Sequence, residues 1–206
     1  MPATPEFLAD RALHTALERI MPFHFFYEKK GHYLPDFRFL EGSEVPYPYR
    51  SLLVHENDMT PTLAAFHHSR LYLEVHEIEA TEAFVMRLVT LHAAASELPV
   101  EFGAIAIQLG GLPPEVQDLI REGVKPLGGI LGEYGMPHRG CPSTYFSVPC
   151  DDLIGEALHQ KPGEILFGRC NQLFDADGMV FADIVEILPR SNESERWVGG
   201  VIKTES

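Results

Sequence analysis

The sequence predicts an α+β fold built on a single antiparallel β-sheet flanked by helices. Two observations carry that expectation. Between residues 71 and 107 three strand-like segments follow one another across short polar turns, the pattern of an antiparallel meander. Between 164 and 188 two further apolar runs flank the turn Asp175-Ala176-Asp177-Gly178, the pattern of a hairpin. The proline- and glycine-punctuated stretches around them read as short helices.

Composition narrows the class. The 206 residues, 45% of them hydrophobic, suit one large domain or a domain with appendages and can supply a substantial core. Thirty acidic residues against sixteen Lys and Arg give a net charge of -14, which argues against a nucleic-acid or anionic-membrane surface, since both attract basic patches. A small anionic ligand stays open, because a few arginines make a local positive pocket on an acidic protein. Cys141, Cys150 and Cys170 are odd in number and form no CxxC, so neither a disulfide framework nor a structural zinc site is signalled. The first residues lack a basic segment followed by an apolar one, and no run of roughly twenty apolar residues occurs. The expectation is a soluble, cytoplasmic protein.

Taken in order, Pro5 to Ile20 reads as a helix, with Phe7, Leu8, Leu13, Leu17 and Ile20 near helical spacing. Phe23 to Pro48 is aromatic and interrupted by Pro35, Gly42 and Pro46, and reads as an irregular connector wrapping a core. Tyr49 to Phe66 is helical with a break at Asn57-Asp58-Met59-Thr60-Pro61, where Asp58 or Thr60 caps a second helix that carries Pro61 at its first position. Strands follow at Leu71 to Glu77, around Glu82 to Leu91 and at Val100 to Ile107. Leu112-Pro113-Pro114 opens a helix that ends before Gly123, and Lys125-Pro126-Leu127-Gly128-Gly129 leads to another at Ile130 to Tyr134. A short strand at Tyr145 to Val148, a brief helix at Leu153 to His159 and the hairpin complete the chain, and beyond Arg190 it is polar and expected to fray.

The chemistry-bearing residues are few. No GxSxG, GxGxxG or GxxxxGK[ST] occurs, so cofactor-free chemistry, or none, is left. His24 and His32 lack a partner at helical spacing, so no metal site is expected, and His67-His68 suits a solvated helix end better than a proton shuttle. Arg87 stands out. In Phe84-Val85-Met86-Arg87-Leu88-Val89-Thr90-Leu91 alternation places Val85, Arg87, Val89 and Leu91 on one face, with Phe84, Met86 and Leu88 on the other. A guanidinium among apolar neighbours meets either a carboxylate of its own chain or an anionic ligand. Glu186 is the acidic counterpart: Ala182, Ile184, Glu186 and Leu188 share a face, while Asp183 lies with Phe181, Val185 and Ile187. Arg87 and Glu186 together make either a structural ion pair or two poles of a pocket.

Four stretches give a family resemblance: Leu52-Leu53 with Asp58-Met59-Thr60, Val85-Met86-Arg87-Leu88, Lys125-Pro126-Leu127-Gly128, and Asp183-Ile184-Val185-Glu186-Ile187-Leu188-Pro189. In that order, over Tyr49 to Pro189, the chain resembles the chorismate pyruvate-lyase family and the wider chorismate lyase-like superfamily. The resemblance implies a ligand cavity enclosed by helical flaps, and a division into an N-terminal helix and connector packed on the core (1–48), a chorismate lyase-like domain (49–190) and a polar C-terminal tail (191–206). It implies Met59 and Leu127 as backbone contacts to a small anionic aromatic or pre-aromatic acid, Arg87 as its carboxylate clamp and Glu186 as the acidic group. Asp183 could substitute for Glu186, since the register of the last strand is open by up to three residues. The chain departs from the family where Glu101-Phe102-Gly103-Ala104-Ile105 replaces an arginine-containing strand. The activity implied is that of a cofactor-independent lyase that removes pyruvate from chorismate to give 4-hydroxybenzoate, with Arg87 and Glu186 as catalytic residues and no metal. Two alternatives remain: a non-catalytic binder of a small aromatic acid, like the ligand-sensing domains of this superfamily in transcription regulators, and an enzyme of the same fold acting on another natural-product intermediate.

Overall fold

The structure, a computed structural model, describes residues 17–190 together with the backbone of 197–198 and 201–202. Seven antiparallel strands form one sheet: β1 (Arg38–Leu40), β2 (Leu71–Ala80), β3 (Phe84–Ala93), β4 (Pro99–Gln108), β5 (Arg139–Pro149), β6 (Ile165–Phe174) and β7 (Val180–Leu188), in the spatial order β1-β5-β6-β7-β4-β3-β2. Six helices flank it: α1 (Phe23–Lys30), α2 (Tyr49–Leu53), α3 (Met59–Phe66), α4 (Pro114–Glu122), α5 (Leu127–Glu133) and α6 (Asp152–Leu158). The expected α+β architecture with a single antiparallel sheet is the one found. The meander β2-β3-β4 and the hairpin β6-β7 are both present, and they join where β4 pairs with β7.

Other expectations need correction. Most of the helix expected over Pro5 to Ile20 lies outside the described residues, as do the side chains of the tail expected to fray, although Trp197–Val198 and Val201–Ile202 pair as a separate two-stranded ribbon, β8 and β9. The stretch expected to be an irregular connector contains α1 and the edge strand β1. Phe23, Phe26 and Tyr27 recur at three- and four-residue spacing and are all fully buried, and Gly31 ends the helix in the left-handed conformation with its amide donating to Glu28. The aromatic density of that stretch marked a helix on the core. Pro61 stands third in α3, after Met59 and Thr60, and the Asp58 side chain does not cap the helix. Strand β5 runs eleven residues where four were expected.

The two faces of the sheet are filled differently. On one face Leu88, Ala104, Val185 and Cys170 lie in a row across β3, β4, β7 and β6, next to the row Phe102, Ile187, Gly168 and Phe146. This face packs against α1 and α6 to make a dry core, with the Phe23 ring edge-on to Phe102 at 5.7 Å. Gly168 makes room for it: a Cβ there would stand 2.4 Å from the Phe146 ring. The Tyr27 hydroxyl donates to Asp151 Oδ2 at 2.7 Å, and Asp151 Oδ1 accepts from the Ile154 amide, so one carboxylate both ties α1 down and caps α6.

The opposite face carries Arg87, Ile105, Ile184 and Asn171 in one cross-strand row, and Val89, Gly103, Glu186 and Arg169 in the next. Its outer parts are packed by α2 and α3 at one end and by α4 and α5 at the other. Its middle is not filled. Gly103 contributes no side chain there, and none fits, because a Cβ would stand 2.1 Å from the Val185 carbonyl oxygen. We expect Gly103→Ala to push β4 away from β7 and to cost about 1–3 kcal/mol; a chemical denaturation midpoint equal to that of the wild type would show that the strands relax without cost.

Candidate functional site

The unfilled middle of that face is a cavity, open to solvent at its mouth. Its floor is Val89, Gly103, Ile105 and Ile184, and its roof comes from the first residues of α3 and α5, Met59 and Leu127, both buried. All the residues singled out in the sequence meet here: Met59, Arg87, Leu127 and Glu186 line this one cavity. Asp183 does not. It lies on the other face of β7, where its Oδ1 accepts from Gln172 Nε2 at 2.8 Å, and this settles the register in favour of Glu186.

Arg87 is 1% exposed. Its Nη1 makes one long hydrogen bond, 3.4 Å, to the Lys125 carbonyl, and its Nε has no partner. No carboxylate of the described residues pairs with it. Burial alone pulls the guanidinium down to about 10, the response of a cation stripped of water and given no counter-charge. A flexible, strongly hydrated side chain is thus held dry in a cavity wall.

Of the two arrangements left open for Arg87 and Glu186, the direct ion pair is not formed. Glu186 Oε2 accepts from Nε of Arg169, a residue of β6 that is wholly buried. The rest of that guanidinium is also taken up: Nη1 donates to the carbonyls of Leu53 and His55 at 3.2 and 3.0 Å, and Nη2 to that of Asn57 at 3.3 Å. Arg169 therefore fastens the α2–α3 connector, and with it the roof residue Met59, to the sheet. Burial and the neighbouring Arg169 hold His55 below its ordinary pKa, so it stays neutral, its Nε2 bonded to the Leu52 carbonyl at 2.7 Å.

A second tie closes the roof. His138, just before β5, places Nε2 2.9 Å from Asp58 Oδ2 and Nδ1 2.9 Å from the Met136 carbonyl. Burial opposes a charge on this ring, but two acceptors outweigh it and its pKa is raised. With an acceptor at each nitrogen, the protonated ring donates twice. Asp58 is also the residue against which the first turn of α5 packs, since a Cβ on Gly128 would meet its Oδ2 at 3.7 Å. The carboxylate expected only to cap α3 instead links α3, α5 and the entry to β5.

Glu101 and Asn171 complete the wall and were missed as site residues in the sequence. Glu101 is 7% exposed and its Oε2 has no partner; burial, then the neighbouring Glu186, raise its pKa well above the ordinary carboxyl value. Asn171 Oδ1 is likewise buried without a partner. The signal for Glu101 was present: it alternates with Gly103, Ile105 and Ile107 in an apolar strand, as Arg87 does in its own. Arg169 carried the same signal in the hairpin.

These features define a class: a chorismate lyase-like fold with a largely apolar cavity, carrying a few buried polar groups, between the sheet and the flanking helices. No protein-family model matches the sequence, and no curated protein matches it either. Among solved structures the chain is similar in fold to PhnF from Mycobacterium smegmatis, at 12% identity and a TM-score of 0.50 over 66% of this chain and 65% of PhnF. The effector domain of PhnF aligns at 11% identity and a TM-score of 0.49 over 64% of this chain and 88% of that domain. The ligand-binding domain of a putative GntR-family transcriptional regulator from Bordetella bronchiseptica aligns at 16% and 0.44, over 57% and 85%. The expected lyase activity is corrected by these findings. The fold found is shared with PhnF, and the carboxylate expected to act as the acid, Glu186, is already spent on Arg169. Pyruvate elimination from chorismate and the catalytic roles of Arg87 and Glu186 are therefore withdrawn.

Two outcomes follow from the wall chemistry. Arg169→Met leaves Glu186 buried without its cation beside Glu101 and should cost about 3–5 kcal/mol, whereas the double variant Arg169→Met/Glu186→Gln recovers a large part of it; equal losses in both, measured by urea unfolding, would show that the pair is not coupled. Because Glu101 has a raised pKa in the folded state, the native protein holds a proton there that the unfolded chain releases above about 4.5. Its contribution is favourable at low pH and is lost as pH rises toward the folded value. Glu101→Gln, which keeps the shape and cannot ionise, should raise the thermal midpoint at pH 7 and lose that advantage below pH 4.5; a pH-independent difference between the two proteins would refute the assignment.

Proposed function

We propose that this chain is a non-catalytic binding domain for a small organic acid, whose carboxylate sits on Arg87 in the cavity beneath α3 and α5. One observation carries this reading: a buried guanidinium with an unpartnered Nε lines a cavity, and no carboxylate of the described residues neutralises it. A buried cation in that state is a standing cost to the free protein, and an anion is what offsets it. Met59 and Leu127 supply the apolar cover of the same ligand, and a single aromatic or pre-aromatic ring suits the floor of Val89, Ile105 and Ile184. Glu186 shapes the wall as the partner of Arg169.

The fold shared with PhnF, and the ligand-binding and effector domains among the similar structures, support a ligand-sensing role. The net charge of -14 speaks against a nucleic-acid or anionic-membrane surface on this chain. Among the described residues no helix is long and apolar enough to cross a membrane. The three unpaired cysteines support a reducing, cytoplasmic setting.

The test uses Arg87→Met, which keeps the volume and removes the charge. In thermal melts with millimolar 4-hydroxybenzoate, the wild type should shift upward and Arg87→Met should not. Without ligand the variant should be the more stable of the two, by about 1–3 kcal/mol, since an uncompensated buried charge is gone. An equal ligand-induced shift in both proteins would overturn the carboxylate clamp.

A further inference from the structure

Among the described residues three buried side-chain atoms lack a hydrogen-bond partner: Arg87 Nε, Glu101 Oε2 and Asn171 Oδ1. All three residues line the same cavity. Buried polar atoms are paired in the great majority of folded proteins, so three orphans gathered on one wall mark groups held for something that is not part of the chain. Their placement is wide. Arg87 and Asn171 occupy the two ends of the row that runs through Ile105 and Ile184, three strand spacings or roughly 14 Å apart at the backbone. Glu101 faces Leu91 on the strand beside Arg87, four residues from Ile105 and so roughly 13 Å along β4. The three side chains therefore mark the corners of a triangle whose centre is Gly103 and Ile105.

We infer that the cavity takes an acid carrying hydroxyl groups remote from its carboxylate, with Glu101 and Asn171 as the residues that receive those hydroxyls. This rests on Arg87 holding the carboxylate. The type of group follows from what the two residues offer. Glu101, kept neutral by burial and by the adjacent Glu186, presents one donor and one acceptor, and the Asn171 amide presents both as well. A hydroxyl also donates and accepts, so it satisfies either partner in either orientation. A second carboxylate would crowd a like charge against Glu186. An ammonium group would require Glu101 to ionise against its own burial. Glu101 and Asn171 are thus specificity residues, set at a distance from the anchoring charge.

The experiment is calorimetric titration of the whole chain with three matched acids: benzoate, 3,4-dihydroxybenzoate and 4-(aminomethyl)benzoate. The wild type should bind the dihydroxy acid about tenfold or more tightly than benzoate, since a site built to hydrogen-bond hydroxyls leaves its own polar atoms unpaired with an analogue that lacks them. Glu101→Leu and Asn171→Leu should each bring that ratio down severalfold while benzoate still binds, and Glu101→Gln, whose amide also donates and accepts, should keep most of it. The inference is overturned by a wild-type ratio near one, by a ratio the two leucine variants leave unchanged, or by tighter binding of the aminomethyl acid. The wild-type comparison needs no variant to fold. Hydroxyl preference that persists in Arg87→Met would instead overturn the carboxylate clamp, and absence of binding by any of the acids at 10 mM would overturn both.

Discussion

The ion pair between Arg169 and Glu186 is the constraint on which the cavity depends. Arg87, Arg169, Glu101 and Glu186 share that face of the sheet. Arg169 takes Glu186 as its partner, burial and the neighbouring Glu186 raise the pKa of Glu101, and no carboxylate of the described residues pairs with Arg87. Arg87 is then left as the one uncompensated charge of the four. The attraction that stabilises one pair is therefore also what makes the neighbouring cation available to a ligand.

The same pair positions the roof. Three backbone carbonyls between Leu53 and Asn57 accept from Arg169, so the connector that leads into α3 is drawn onto the ligand face. At the other end of the cavity Asp58 and His138 join the start of α3 to the approach to β5. The roof is thus held by one buried and one half-buried charged contact, and the difference matters. The clasp at His138 weakens as its ring loses a proton. The fixed tie sets where Met59 lies; the titratable one governs how firmly α3 and α5 are held together at the mouth.

Much of this was legible in the sequence, for a specific reason. Period-2 alternation places residues on faces without any tertiary information, so Arg87 and Glu186 stood out among apolar neighbours, short links marked the strands as antiparallel, and the family resemblance implied that both face a ligand. Pairing between strands distant in sequence is not encoded that way. Nothing local says that β4 lies beside β7, and it is this junction that sets Gly103 against Glu186 and puts Arg169 within reach of it. Once that order is known, Arg169 becomes the partner of Glu186, and the chemistry open to that carboxylate changes with it. The misread of residues 23 to 48 has a different origin. Rings at helical spacing between Pro22 and Gly31 were overlooked because aromatic density suggested a wrap, when it reflected a helix whose buried side closes the opposite core.

The contrast between the two faces bears on the binding role proposed for this cavity. On the α1 and α6 side the core is filled largely by apolar groups, with the rings of Phe23, Phe102 and Phe146 packed among them. On the other side the sheet keeps a glycine at its centre and charged or amide groups at its margins, so its free energy is lowest with a ligand in place. Catalysis of an elimination needs an acid that gives up a proton and regains it in each cycle. Glu186 is fixed to a permanent cation, and Glu101 lies two cavity-facing positions along its strand from Ile105, the residue opposite Arg87. Neither is placed to exchange a proton beside the clamped carboxylate. The arrangement holds a charge at one corner and hydrogen-bonding groups at the others, which suits discrimination among ligands better than proton transfer.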